Sequence, residues 1–167
     1  VKALEAARRI MDPSTRLRAR LAVAAHLDGS VKEREVDAVI AEARNHAARA
    51  GARHLLIDLA DGLPSERVRD VVSLLPSNAD PHFRDRVLAR VLQREAASDP
   101  HWTRDTLSRI EDDAWRDCVQ RPLALAWATS RCLDEVEWTL ADWKPQRSQN
   151  TIDFIVDLIR LLPLECS

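Results

Sequence analysis

Glycine and tyrosine are nearly missing from this chain. Its 167 residues contain three glycines (Gly29, Gly51, Gly62) and no tyrosine, which leaves little material for tight β-hairpin turns or for loops that cradle phosphate on bare backbone. None of the patterns G-x-x-x-x-G-K, G-x-S-x-G or G-x-G-x-x-G occurs. Catalysis by this chain alone is therefore not expected, and no cofactor is implied.

Cysteine is as sparse. Cys118, Cys132 and Cys166 are an odd number with no close pair, which excludes a disulfide framework and a C-x-x-C metal or redox site. The five histidines, His26, His46, His54, His82 and His101, lack metal-ligand spacing, and His54 with Asp58 reads as an exposed pair on one helix turn. No stretch approaches the roughly 18 apolar residues of a membrane span. The start, Val1-Lys2-Ala3-Leu4-Glu5, has neither the apolar core nor the cleavage site of a signal peptide. A cytoplasmic chain without membrane contact is the expectation, and an initial Val suggests a piece of a longer protein. An excess of positive charge is also lacking: net charge is −2, with 13 basic and 12 acidic residues up to position 83 and 12 and 15 after it. Nucleic acid, which needs a dense phosphate-neutralising surface, is a disfavoured partner.

Ala, Leu and Arg are abundant, and they are good helix formers. Asp12-Pro13, Asp80-Pro81 and Asp99-Pro100 read as helix starts, because an Asp oxygen accepts the orphan N–H groups of a first turn and Pro at the first helical position loses nothing. The segments Asp12-Pro13-x-x-Arg16-x-Arg18 and Asp80-Pro81-x-x-Arg84-x-Arg86 match at a separation of 68 residues, two units of about 34, the length of a helical hairpin. Stepping by that unit puts the other starts near His46, Ala114 and Ser148. First helices are then expected near 1–11, 33–46, 65–76, 100–110 and 133–143, and second helices near 13–27, 47–61, 81–96, 113–130 and 150–162. Apolar stripes of helical period support them, such as Val36, Val39, Ile40 and Ala43 or Val68, Val71, Val72 and Leu75. Connections such as Asp28-Gly29-Ser30 and Asp61-Gly62-Leu63-Pro64 are short, which forces antiparallel neighbours. The expectation is one all-α domain over residues 1–167, an α-solenoid of about five antiparallel helical hairpins. Pro122 should kink or split the helix around it, so residues 112–132 read either as one kinked helix or as two.

The segment from Asp12 to Leu27, with Arg18 six residues after the Asp and a Leu/Ala face behind it, resembles the second half of a HEAT-like repeat; Asp80 to Leu92 is a weaker copy. The resemblance implies that Asp12, Arg18, Asp80 and Arg86 bond along the stack as structural ladder residues. The other hairpins share the period only, and the Trp, Gly and Tyr landmarks of tetratricopeptide repeats are absent from the first helices. Arrays of this texture are similar to sensor or scaffold regions of bacterial signalling and defence proteins, and 22 Arg against 3 Lys fits a GC-rich bacterial genome.

Candidate contact residues are few. All five tryptophans, Trp102, Trp115, Trp127, Trp138 and Trp143, lie in the last 66 residues. A helical projection puts Leu133, Val136, Leu140 and Trp143 on one face and Trp138 about 140° from Leu133, among Asp134, Glu135 and Asp142. An aromatic on an acidic face is a candidate anchor for a basic or amphipathic partner. Arg9, Arg16 and Arg20 form the opposite candidate, a basic patch for an acidic partner or phosphate. The run Glu111-Asp112-Asp113 reads as helix capping. The helix 151–162 is apolar around most of its girth, so it is expected to be enclosed, to meet a second copy as a homodimer, or to precede a further repeat. Together these features point to a non-catalytic protein-interaction scaffold or sensor module, binding another protein or a neighbouring domain; a nucleic-acid-binding helical-repeat module is the alternative.

Overall fold

A computed structural model describes residues 2–47, 53–95, 99–141, 143 and 149–161, and among these the regular structure is entirely helical. Ten α-helices follow one another: α1 (Lys2–Arg8), α2 (Pro13–Ala24), α3 (Gly29–Ala47), α4 (Arg53–Gly62), α5 (Asp70–Ser73), α6 (Pro81–Glu95), α7 (Pro100–Ser108), α8 (Asp113–Thr129), α9 (Leu133–Ala141) and α10 (Gln149–Leu161).

Four of the helix starts are set by aspartates. Asp12 accepts from the Thr15 amide at 2.7 Å, Asp80 from Phe83 at 3.0 Å and Asp99 from Trp102 at 3.1 Å, each followed by Pro in the first helical position. Asp112 does the same for α8, accepting from Ala114 at 2.9 Å and Trp115 at 3.1 Å. The start of α8 therefore falls two residues before the position a strict 34-residue step gives. Asp112 and Arg116 then occupy the places of Asp12 and Arg16, and the motif recurs a third time. In two of the three copies the Arg turns back on the preceding segment, whereas Arg84 donates to Asp85 at 3.0 Å. Arg16 donates to the carbonyls of Ile10 at 2.8 Å and Met11 at 3.2 Å, and Arg116 to that of Ile110 at 2.5 Å, closing the turn out of the preceding helix.

Two features differ from the sequence expectation, and one alternative it left open is decided. The helix expected over 65–76 is a 3-10 turn, Ser65–Arg67, followed by the single turn of α5. Of the two alternatives for residues 112–132, a single helix forms: Pro122 sits inside α8, and both it and Cys118, whose carbonyl loses its bond, are exposed, so that carbonyl is not buried without a partner. The ladder implied by Asp12, Arg18, Asp80 and Arg86 is not formed among the described residues: both aspartates cap their own helices and Arg18 lies 3.9 Å from Asp58.

Helix α2 packs on α4, α4 on α6, α6 on α8 and α8 on α10, so the even-numbered helices form a row. Along it, α1 lies on α2, α3 against α2 and α4, α5 against α4 and α6, α7 on α6, and α9 on α8. Where α2 meets α4 the helices approach closely at Gly62: a Cβ there would stand 3.0 Å from Leu21 Cδ1, so the leucine would have to shift by a few tenths of an ångström. Two apolar cores result. One gathers Leu17, Val39, Leu56, Leu59, Val68 and Val71; the other Ile110, Val119, Leu123 and Trp127. Helix α6 feeds both, with Val87 and Val91 in the first and Leu88, Ala89 and Leu92 in the second. Full burial of each such side chain contributes about 1.5–3 kcal/mol.

Polar groups tie the helices where apolar packing does not. Asp85 of α6, only 1% exposed, accepts the amides of Glu111 and Asp112, both at 2.8 Å, and the Arg84 guanidinium at 3.0 Å, so α6 holds the entry to α8. Arg94 of α6 donates to the carbonyls of Ala60, Asp61 and Leu63 at 2.6–2.9 Å and so caps the end of α4. Helix α8 ends in a Schellman turn, with the Cys132 amide bonded to the Trp127 carbonyl at 2.9 Å and Arg131 in the left-handed region at φ 59°.

Two outcomes follow. Arg131→Gly relieves the left-handed strain and is expected to raise unfolding stability by about 0.5–1 kcal/mol in urea titrations. The capping amides of Thr15, Trp102 and Trp115 hold the carboxyls of Asp12, Asp99 and Asp112 below the usual carboxylate range. Their stabilising effect is complete above about pH 4 and is lost as pH falls through the lowered values. Melting curves from pH 2 to 7 should show an acid limb, and Asp112→Asn, which still caps, should make that limb shallower with little change at neutral pH.

Candidate functional site

The basic residues near the start of the chain do not share one fate. Arg16 and Arg20 stand one turn apart on α2 and face Glu35 and Glu42, two turns apart on α3. Arg20 is buried and donates to Glu35 at 2.5 Å and to Glu42; Arg16 donates to Glu42 at 2.8 Å, and Arg8 completes the set on Glu35. This network joins the first hairpin to α3, and its guanidinium groups are consumed internally. Arg9, beyond the end of α1, is exposed. The three arginines therefore do not form one patch.

Trp138 is half-buried. Its ring meets Trp127 edge-on, centroids 6.5 Å apart, and the Arg104 guanidinium lies 4.9 Å from its centroid. Arg104 also grips Glu135 at 2.7–2.9 Å, so both Trp138 and Glu135 tie α9 to α7. Asp134 is exposed, and Asp142 lies outside the described residues. The same device recurs twice: Arg69 lies over Trp102 and pairs with Glu95 and Asp99, and Arg121 lies over Trp143 and pairs with Asp117. Trp127 is buried outright.

Trp115 is the different one. It is half-buried at the start of α8, its neighbour ring is His82 at 5.9 Å, and it forms one wall of a groove of about 280 Å³ between α4, α6 and α8. Ile57, Ala89 and the indole supply an apolar floor, and Asp61, Arg86, Arg90 and Gln93 supply the rim. Arg90 pairs with Asp61 and donates to Gln93 at 3.2 Å, while the Gln93 amide donates to Cys118 Sγ at 3.1 Å. Arg86 is exposed and has no bonded partner among the described residues. Two guanidinium groups against one carboxylate give this groove a positive rim. His82, outside the groove's lining, lies 3.5 Å from Asp112.

Sequence reasoning missed this groove because its residues come from three helices. One signal was present: Arg86 and Arg90 share a face of α6 one turn apart, as Arg16 and Arg20 do on α2, but no paired acid answers Arg86. Among the described residues no group of three or more His, Cys, Asp or Glu side chains could hold a metal ion, and no helix is long and apolar enough to cross a membrane. No family model, curated protein or solved structure matches the chain.

The ionic network gives a direct test. Glu35→Ala leaves Arg20 buried against Glu42 alone and is expected to cost about 3 kcal/mol or more of stability in urea titrations. Arg9→Ala, on an exposed side chain, should stay within about 0.5 kcal/mol.

Proposed function

We propose that this chain is a non-catalytic protein-interaction scaffold or sensor module, a single α-solenoid of five antiparallel hairpins, and that it grips an acidic peptide segment in the groove between α4, α6 and α8. The solenoid reading is supported by the row α2, α4, α6, α8, α10 with the odd-numbered helices laid along it, because each hairpin then meets its neighbours in sequence. The binding reading rests on one observation: Arg86, unpaired among the described residues, stands beside the half-buried Trp115 over an apolar floor. A volume of about 280 Å³ suits one or two side chains rather than a whole cofactor. An aliphatic or aromatic residue would fill the floor, and flanking Asp or Glu would meet Arg86 and Arg90.

The nucleic-acid reading loses support, because two of its three named phosphate contacts, Arg16 and Arg20, are engaged with Glu35 and Glu42, leaving Arg9 alone exposed. Trp138 serves α9 packing in this reading and is not the anchor.

Selection from a random displayed-peptide library is expected to enrich sequences with Asp or Glu on one or both sides of a large apolar residue. Arg86→Glu should weaken the selected peptides at least about tenfold, equivalent to 1.4 kcal/mol, while Arg9→Glu leaves them unchanged. Enrichment without acidic residues, or equal binding to Arg86→Glu, would overturn the assignment.

A further inference from the structure

A chain of side-chain bonds ties α4, α6 and α8 along the rim of the Arg86 groove. Asp61, at the end of α4, accepts from Arg90 Nε of α6. Arg90 Nη1 donates to Gln93 Oε1 at 3.2 Å, and the Gln93 amide donates to Cys118 Sγ of α8 at 3.1 Å. Arg90 is thus engaged at two of its three nitrogens. Arg86, one turn earlier on the same face of α6, is exposed and has no bonded partner among the described residues. Among the described residues of the groove's lining, Asp61 is the one carboxylate and Arg86 and Arg90 are the cations. The charge left for a ligand is therefore that of a single guanidinium.

We infer that Asp61 sets the class of acid this groove accepts: by occupying Arg90, it makes the groove select a singly charged carboxylate side chain over a phosphorylated one. This rests on the groove being the peptide site proposed above. An Arg fork answers one carboxylate with two parallel N–H donors, and Arg86 can do so without breaking any bond. Phosphoserine carries close to two charges at neutral pH and three acceptor oxygens, and it is held by clustered arginines. Arg86 and Arg90, with Cβ atoms about 6 Å apart by helix geometry, would form such a cluster if both were open. With Arg90 turned to Asp61, the dianion meets one open fork and a neighbouring carboxylate that repels it. The latch is a weak one, since Arg90 and Asp61 are 46% and 41% exposed. An ion pair of this kind contributes up to about fivefold in an equilibrium, enough to tilt a choice between ligands. Arg94 holds the backbone carbonyl of Asp61 and not its side chain, so the cap on α4 survives Asp61→Asn.

Fluorescence anisotropy with the whole chain tests this at about pH 7.5, well above the second phosphate pKa of about 6. Two labelled probes are compared: a peptide from the displayed library with one Glu beside its apolar residue, and its twin with phosphoserine in place of that Glu. The wild-type chain is expected to bind the Glu peptide more tightly than its twin. In Asp61→Asn the ratio of the two affinities moves toward the phosphopeptide by about fivefold or more. In Asp61→Asn combined with Arg90→Ala that gain is absent, since it needs the released guanidinium. Circular dichroism of each variant checks that the helices are retained. A wild-type chain that binds the phosphopeptide as tightly as the Glu peptide, or a ratio unchanged in Asp61→Asn, overturns the assignment. So does a gain that persists without Arg90, which makes Asp61 a nearby charge rather than a latch. The two readings fail separately. If Arg86→Glu leaves the Glu peptide bound, the groove itself is wrong and the role of Asp61 falls with it. If Arg86→Glu releases that peptide and Asp61→Asn leaves the ratio unchanged, only the role of Asp61 is lost.

Discussion

Helix α6 has to be apolar on two sides at once while carrying a carboxylate with almost no access to water. Val87 and Val91 fill one core, Leu88, Ala89 and Leu92 the other, and Asp85 lies between the helix and the entry to α8. A carboxylate in such a place is tolerable only when its lone pairs are met. The two amides of Glu111 and Asp112 and the Arg84 fork meet them. The position of α8 is therefore dictated by the needs of Asp85, and α9 and α10 pack on α8 in turn. Towards the other end, Arg94 on the same helix satisfies the last carbonyls of α4. The two halves of the chain are joined through one helix and its polar ties as much as through apolar contact.

This arrangement explains how so many arginines can be held in a chain of small net charge. Most are spent locally. Arg16 and Arg116 close the turns into second helices, Arg20 neutralises buried Glu35, and Arg69, Arg104 and Arg121 each cover a tryptophan while gripping a carboxylate. A guanidinium tied to a carboxylate in a partly dry environment is a poor contact for an outside phosphate, since leaving its partner exposes a buried charge. Counting basic residues along the sequence therefore overstates the surface available to a ligand.

The helices were legible in the sequence because their starts carry local signals. Asp-Pro caps announce themselves within four residues, and nine of the ten helices among the described residues fall on expected segments, the exception being the 65–76 region broken at Arg67. The third copy of the cap motif escaped because Asp112 precedes the 34-residue step by two positions, which a fixed period cannot follow. The candidate contact residues were less legible, since helical projection treats a helix as having one neighbour. Helix α9 touches α8 on one side and the Arg104 side chain of α7 on the other. Trp138 consequently finds cover on a face that its own helix marks as acidic. Arg20 and Glu35 could have been paired in advance, as i, i+4 arginines on one helix of a hairpin facing i, i+7 glutamates on the next, but only once the two helices were known to pack.

Binding surfaces are expected to be preorganised, since each side chain ordered on association subtracts from affinity. Arg86 and Arg90 stand on the helix that is buried on both flanks and tied at both ends, so the backbone beneath them has little freedom. Trp115 is positioned by the Asp112 cap, whose own amide is fixed by Asp85. The groove thus inherits its rigidity from the same buried carboxylate that joins the two cores. Helix α10 is the opposite case, held by one face and leaving its isoleucines to water at a cost that only further burial removes. The chain therefore concentrates its polar ties in the middle and leaves apolar side chains exposed on α10.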